Sequence, residues 1–173
     1  MIYFIRHGET EFNKECKMQG HLDIPLNEKG IKQAEKARDE LACFKFDIIY
    51  SSPLQRAKKT AEIINEKQSA KIVVDDRLIE VYGGTAQGKS MKDWTEEMHQ
   101  ELHNFPERFS AESVESLCGR VEDFFKEIEN SDKNILIVAH GGVYRALYRY
   151  LNNIEWFDFQ FKGIENATAV KVK

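Results

Sequence analysis

The sequence predicts an α/β protein built as a single αβα sandwich, and three observations lead there. Short apolar runs bounded by turn residues alternate with amphipathic helical patterns along the chain. No repeat, low-complexity stretch or linker divides them. A length of 173 residues favours one domain over two and allows a sizeable core.

The elements follow in order. Ile2, Tyr3, Phe4 and Ile5 form an apolar run that reads as a buried strand ending at Arg6 and His7. Residues 8–26 are polar and too long for an ordinary connection, which marks a candidate functional loop. Asn27 is placed to cap a helix carrying Ile31, Ala34, Ala37, Arg38 and Leu41 at helical spacing. Phe46 to Tyr50 reads as a second buried strand. It ends in Ser51, Ser52 and Pro53, where a serine cap and a first-turn proline start a helix. That helix presents Leu54, Ala57, Ala61 and Ile64 on one face and leaves Arg56 near a strand end. Lys71 to Val74 is a third strand, followed by a glycine-broken loop holding Glu80, Gly83, Gly84 and Gly88. Residues 89–130 read as helical pieces interrupted near Pro106, the second with a core stripe of Val114, Leu117, Val121, Phe124 and Ile128. Arg108 and Arg120 stand isolated in this segment, Arg120 on the core helix. Ile135 to Ala139 is a further buried strand running through His140, Gly141 and Gly142 into a helix with Val143, Ala146, Leu147 and Leu151. From Asn166 to Lys173 the pattern alternates Val170 and Val172 with Lys171 and Lys173, as in an edge strand with one wet face.

Composition narrows the function classes. A hydrophobic fraction of 42% and a charged fraction of 31% are ordinary for a globular protein. With 25 basic against 29 acidic residues the net charge is −4, which argues against a broad nucleic-acid footprint and makes any anion-binding surface local. No apolar stretch reaches membrane-spanning length and no signal-peptide pattern opens the chain, so the expected address is the cytoplasm and no membrane partner is expected. Cys16, Cys43 and Cys118 are odd in number and lack metal-type pairing; free thiols acting as small buried hydrophobes are the expectation.

Ligand sites of open α/β sheets lie at strand ends. Two histidines arrive there, His7 beside Arg6 and His140 before two glycines, and this points to phosphoryl chemistry through a histidine nucleophile. Phosphate-ester cleavage needs charge neutralisation, a nucleophile and a proton for the leaving oxygen. Arg6 and Arg56 can present planar forks of N–H donors, and helix N-termini after Ser52 and Gly141 can add backbone donors. Neutral His7 has a lone pair for attack, and Glu80 can protonate the departing alkoxide and later take a proton from water. Asn13 is a weaker candidate, since asparagine also serves turns. Each residue alone has an ordinary structural explanation; their joint placement at separate strand ends is what carries weight.

These residues resemble a known family. Arg6-His7-Gly8-Glu9-Thr10 with Asn13, then Gly20-His21-Leu22-Asp23-Ile24-Pro25-Leu26-Asn27 and Gly30, then Ser51-Ser52-Pro53-Leu54-Gln55-Arg56-Ala57 with Thr60-Ala61, then Glu80 and Ala139-His140-Gly141-Gly142, resemble the histidine phosphatase superfamily, and do so in its order. The resemblance implies a phosphoglycerate mutase-like sandwich with a mostly parallel central sheet. It further implies that His7 becomes phosphorylated, that Glu80 is proton donor and acceptor, and that Arg6, Asn13, Arg56 and His140 form the phosphate pocket. Gln19 and Gly20 fall where relatives touch substrate. No metal and no cofactor are implied, and the partner is a small phosphorylated substrate, α-ribazole phosphate or a sugar phosphate among the options.

Mutases of that family have a longer segment between the glutamate and the second histidine, with paired arginines, and an Arg-His-Tyr-Gly sequence after the glutamate. Here Glu80 is followed by Val81, Tyr82, Gly83 and Gly84 and the segment is short, which favours hydrolysis. Where relatives often carry Trp-Glu, this chain has Ala86 and Gln87, a difference that bears on pocket shape. An insert around residues 81–112 is the candidate substrate cover, with Tyr82, Met91, Trp94, Met98 and Phe105 either forming an apolar lid or packing its helices. His99 and His103 lie four apart but lack the glutamate of a zinc-protease helix. The alternatives are a cofactor-dependent phosphoglycerate mutase, a metal-dependent hydrolase with His7 and His140 as ligands, and a non-enzymatic phosphate-binding module. Oligomeric state is not readable from these features.

Overall fold

The computed structural model describes residues 1–156, 161 and 163–173. Five strands form one sheet: β1 (Ile2–Arg6), β2 (Ile48–Ser51), β3 (Lys71–Val74), β4 (Ile135–Ala139) and β5 (Ala169–Lys171), in the spatial order β3-β2-β4-β1-β5. The pairs β1–β4, β4–β2 and β2–β3 are parallel, and β5 runs antiparallel to β1 at the edge. The described helices are α1 (Glu11–Lys14), α2 (Glu28–Glu40), α3 (Gln55–Asn65), α4 (Glu96–Asn104), α5 (Val114–Ile128) and α6 (Gly141–Asn152).

Strand periodicity divides the core into two layers. Along β4, Ile135, Ile137 and Ala139 point into one cluster, with Phe4, Leu117, Phe124 and Val143 beneath α5 and α6. Leu136 and Val138 point into the other, with Ile5, Ile49, Ala57 and Ala61 beneath α2 and α3. All five β4 residues are buried, as expected for a central parallel strand covered on both faces. Lys171 and Lys173 of the β5 segment are exposed while Val170 and Val172 pack on the first cluster, so the wet edge face expected from alternation is present.

Several expectations need correction. The strand expected from Phe46 begins at Ile48; Phe46 is still buried, with Tyr3 edge-on at 5.9 Å and Phe44 stacked at 6.2 Å. The last strand is shorter than Asn166–Lys173, because Ala167 turns at φ +52 to give its N–H to the Arg6 and His7 carbonyls. Ile31 of α2 is exposed despite its helical spacing. Only Cys118 is buried, whereas Cys16 and Cys43 are exposed free thiols. Ser52 does not cap α3: the helix begins later, with Leu54 as an N-cap that has no side-chain cap bond, and the Ser52 oxygen accepts the Leu54 N–H ahead of it. The long polar loop holds the one-turn α1, closed by reciprocal bonds between Thr10 and Asn13.

This architecture brings three strand ends level. Arg6 pairs in register with Ala139, and Ser51 with Val138. His7 N–H then donates to Ala139 O (3.0 Å) and Ser52 N–H to Val138 O (3.1 Å), so the ladder continues one residue beyond each strand. His7, Ser52 and His140 therefore emerge side by side.

Candidate active site

The strand ends open on a cavity of about 380 Å³, lined among others by Arg6, His7, Asn13, Arg56 and Glu80. Gln19 and Gly20 line it too, and His140 stands behind His7 with ring centroids 5.1 Å apart. Seven of the eight residues singled out in the sequence thus line one space, and the eighth, His140, packs against His7 behind it.

Each histidine is held by one ring nitrogen. Nδ1 of His7 donates to the carbonyl of its neighbour Gly8 (2.7 Å), which leaves Nε2 as the lone-pair nitrogen. The Nε2 of His140 lies 2.7 Å from the Ser52 hydroxyl, and its buried Nδ1 has no partner among the described residues. Relative exposure is 2% for His7 and 0% for His140. Burial first, then the Arg56 guanidinium, pushes both imidazoles well below the ordinary histidine range, with Arg6 adding to the effect. Both rings are accordingly neutral at physiological pH.

The two arginines are fixed by main-chain carbonyls. Arg56, 0% exposed, gives Nη1 to Leu22 O and Nη2 to Gly20 O, each at 2.8 Å. Arg6 gives Nη1 to Ile164 O (3.0 Å). A guanidinium carries five N–H hydrogens, so each arginine retains donors, and the buried Nε of both has no partner among the described residues. Burial pulls Arg56 down to about 10 and lowers Arg6, with Glu80 opposing the shift in each case; both stay cationic at neutral pH. Two cations lining one small space suit a polyanionic group.

Glu80 approaches from the loop after β3. One carboxylate oxygen accepts the Val81 N–H (2.9 Å) and the other accepts the Gly142 N–H at the start of α6 (3.2 Å). The helix N-terminus expected to bind anions is thus directed at this carboxylate, while the one expected after Ser52 begins later, at Gln55. Asn13 uses its side-chain oxygen to accept the Thr10 N–H (3.1 Å). Gln19 accepts the Thr10 hydroxyl at 2.8 Å. Gly20 adopts φ +51, where its carbonyl meets Arg56 and where a side chain would strike Gln87. Gln87, in place of the family's Trp-Glu, ties two loops by accepting from His21 N–H (2.7 Å) and Gly83 N–H (3.3 Å).

Of the residues proposed for an apolar lid, Met91 lines the cavity. Tyr82 packs on His21, Trp94 on His99 and Phe105 under the Arg108 guanidinium, while Tyr82, Met98 and Phe105 remain exposed. His103 packs against Trp156. No group of three or more potential metal ligands occurs among the described residues. From the sequence, Ser52 reads as a helix cap, Thr60 enters only within the family motif and Asn166 only as a strand start, and none of them is given a bond to the site. Thr60 accepts the Gly8 N–H (3.1 Å) and Asn166 donates to the His7 carbonyl (2.8 Å), so both brace the segment that carries His7. Their contacts span 52 and 159 residues, and no local pattern announces them.

An open, mostly parallel sheet with a buried histidine at a strand end and two arginines beside it defines the class: an α/β fold with cationic side chains gathered at one edge of its sheet. The signature of the histidine phosphatase superfamily (branch 1) matches residues 2–173. A Bacillus subtilis protein named "Uncharacterized phosphatase PhoE" is 37% identical over 148 residues, covering 84% of this chain and 74% of that one. Phosphoserine phosphatase 1 of Hydrogenobacter thermophilus is 31% identical, covering 96% and 83%. The crystal structure of a mycobacterial glucosyl-3-phosphoglycerate phosphatase in complex with VO3 superposes with a TM-score of 0.85 at 27% identity, covering 97% and 88%. The chain belongs to the histidine phosphatase superfamily, and it is an enzyme of the phosphatase kind.

Proposed function

We propose that this phosphatase hydrolyses the monoester of a small phosphorylated metabolite through a phosphohistidine on His7. The observation that supports this best is the neutral, fully buried His7, its Nδ1 committed to Gly8 O and its Nε2 left among Arg6, Arg56 and His140. In the first step the Nε2 lone pair forms a bond to phosphorus and the P–O bond to the alcohol breaks. The departing oxygen takes a proton from Glu80, a contribution of about 10²- to 10⁴-fold. In the second, the Glu80 carboxylate takes a proton from water, the oxygen attacks phosphorus, and the P–N electron pair returns to His7. Inorganic phosphate leaves and Glu80 is again protonated.

Arg6 and Arg56 neutralise the equatorial oxygens, with Asn13 completing the pocket through its amide N–H group. For His140 we assign the neutral Nδ1–H form. In that form the Ser52 hydroxyl, whose oxygen also accepts the Leu54 N–H (3.3 Å), gives its hydrogen to Nε2 and the ring's proton sits on Nδ1. His140 is then a dipolar donor to the phosphoryl group. Gln19 and Gly20 border the space for the alcohol portion, and residues 81–112 form the substrate-facing insert of a single domain spanning 1–173. Hydrolysis is favoured over mutase transfer by the short segment between Glu80 and His140, in which Arg120 faces the loop main chain and not the cavity. A cytoplasmic address fits the described residues, none of whose helices is long and apolar enough to cross a membrane.

A panel of phosphomonoesters that includes phosphoserine, sugar phosphates and both 2- and 3-phosphoglycerate tests this reading. Release of inorganic phosphate that is unaffected by chelator is expected. Interconversion of the phosphoglycerates without phosphate release would establish a mutase instead, and loss of activity on chelation a metal-dependent hydrolase.

A further inference from the structure

Arg120 lies on α5, whose Leu117, Val121 and Phe124 face the core. Its guanidinium leaves that face and meets the loop that carries Glu80. Nη1 donates to the carbonyls of Arg77 (2.7 Å) and Ile79 (2.5 Å), and Nη2 to the carbonyl of Glu80 itself (3.2 Å). The remaining donors form a two-pronged pair with Glu112, Nε to Oε1 and Nη2 to Oε2, both at 2.8 Å. Glu112 continues the grip beyond Glu80: its Oε2 accepts the Tyr82 N–H (3.2 Å) and its own N–H donates to Tyr82 O (2.8 Å). Side-chain exposures of 17% and 13% make this a sheltered pair, and although burial alone would raise the Glu112 carboxyl, the Arg120 bonds hold it below its usual range.

One ion pair therefore binds main-chain groups on both sides of Glu80, at residues 79, 80 and 82. From the opposite loop, His21 Nε2 lies 2.7 Å from the same Glu80 carbonyl. We propose that Arg120, acting with Glu112, is a positioning residue of the reaction: it fixes the Glu80 main chain so that the carboxylate reaches the leaving oxygen. The inference rests on the reading of Glu80 as proton donor. A stability role alone would not require three bonds, to the carbonyls of residues 77, 79 and 80, on the segment that ends in the acid. A carboxyl group displaced by about 1 Å loses much of its effect on proton transfer.

The test compares an alkyl phosphate, which needs a proton on its leaving oxygen, with nitrophenyl phosphate, which does not. Arg120→Gln is expected to lower kcat for the alkyl ester about 10- to 100-fold and for the nitrophenyl ester less than about 3-fold. In a Glu80→Gln background the same change should cost the alkyl ester less than about 3-fold, since the group it positions is gone. Equal slowing of both esters, or full multiplication of the two losses, would overturn the proposal. Should Arg120→Gln fail to fold, Glu112→Gln is read the same way, with the selective loss expected to be smaller, and equal slowing of both esters by it would overturn the proposal. If Glu80→Gln itself slows both esters alike, the acid reading fails and this inference with it. If Glu80→Gln discriminates between them and Arg120→Gln does not, only the positioning role falls.

Discussion

His7 and His140 share a residue type and a buried neighbourhood, yet their hydrogen bonds give them different capacities. His7 spends Nδ1 on Gly8 O and keeps Nε2, whereas His140 spends Nε2 on Ser52 and keeps Nδ1. Ser52→Ala removes the partner that sets the His140 tautomer, and kcat/KM should fall about 10-fold, in line with one lost buried hydrogen bond; steady-state kinetics on a folded variant checks it. Gly142 offers a second point of leverage, because a Cβ there would strike the Glu80 carboxylate. The obstacle is the tip of a flexible side chain, so Gly142→Ala should shift the thermal midpoint by only a few degrees while slowing alkyl phosphate hydrolysis about 10-fold or more. Residues at strand ends, such as Arg6, His7, Arg56 and His140, were legible because strand patterning and motif spacing place them. Ser52 was misread as a helix cap, and Arg120 as a core-helix residue only. In both cases the deciding bonds run between distant elements, and a one-dimensional pattern carries no trace of them.

At the level of elements, α2 docks on the His7 loop through two glycines. A Cβ on Gly30 would collide with the Glu9 carbonyl, and one on Gly8 with the Gly30 carbonyl, so main chain meets main chain with no flexible group to yield. Gly30→Ala should therefore destabilise the fold by about 1–3 kcal/mol, visible as a lower urea midpoint. An unchanged midpoint would show that the docking can relax. Asn27 as the cap of α2, β4 as a fully buried strand and β5 as a wet edge were all readable from local chemistry and periodicity. The one-turn α1 was not, since four residues show no helical period and only the Thr10–Asn13 bonds define it. The start of α3 was misjudged for a related reason: the Ser-Ser-Pro signal is real, but its serine bonds to His140 across the sheet.

For the molecule as a whole, burying neutral histidines ties stability to pH. His7 and His140 are held well below their unfolded value of about 6.5, and burial with the nearby Arg145 takes His103 to about 4. As pH falls through about 6.5 the unfolded chain binds protons that the folded chain refuses, so these contributions are complete above that pH and are lost below it. Each histidine adds a slope of about 1.4 kcal/mol per pH unit at most. Unfolding free energies between pH 7.5 and about 5 should fall accordingly, and His140→Gln should make the decline shallower by about 1 kcal/mol per unit; an unchanged slope would contradict the neutral assignment. The same neutrality leaves His7 a lone pair for attack, which is the central claim of the account. Its most direct measurement is incubation with a phosphate-labelled monoester stopped by denaturant at alkaline pH, followed by mapping of the labelled peptide without exposure to acid. Base-stable, acid-labile label on His7, absent from His7→Ala and undiminished by chelator, is the predicted result. Turnover at full rate with no label on His7, or with label on another residue, would contradict it.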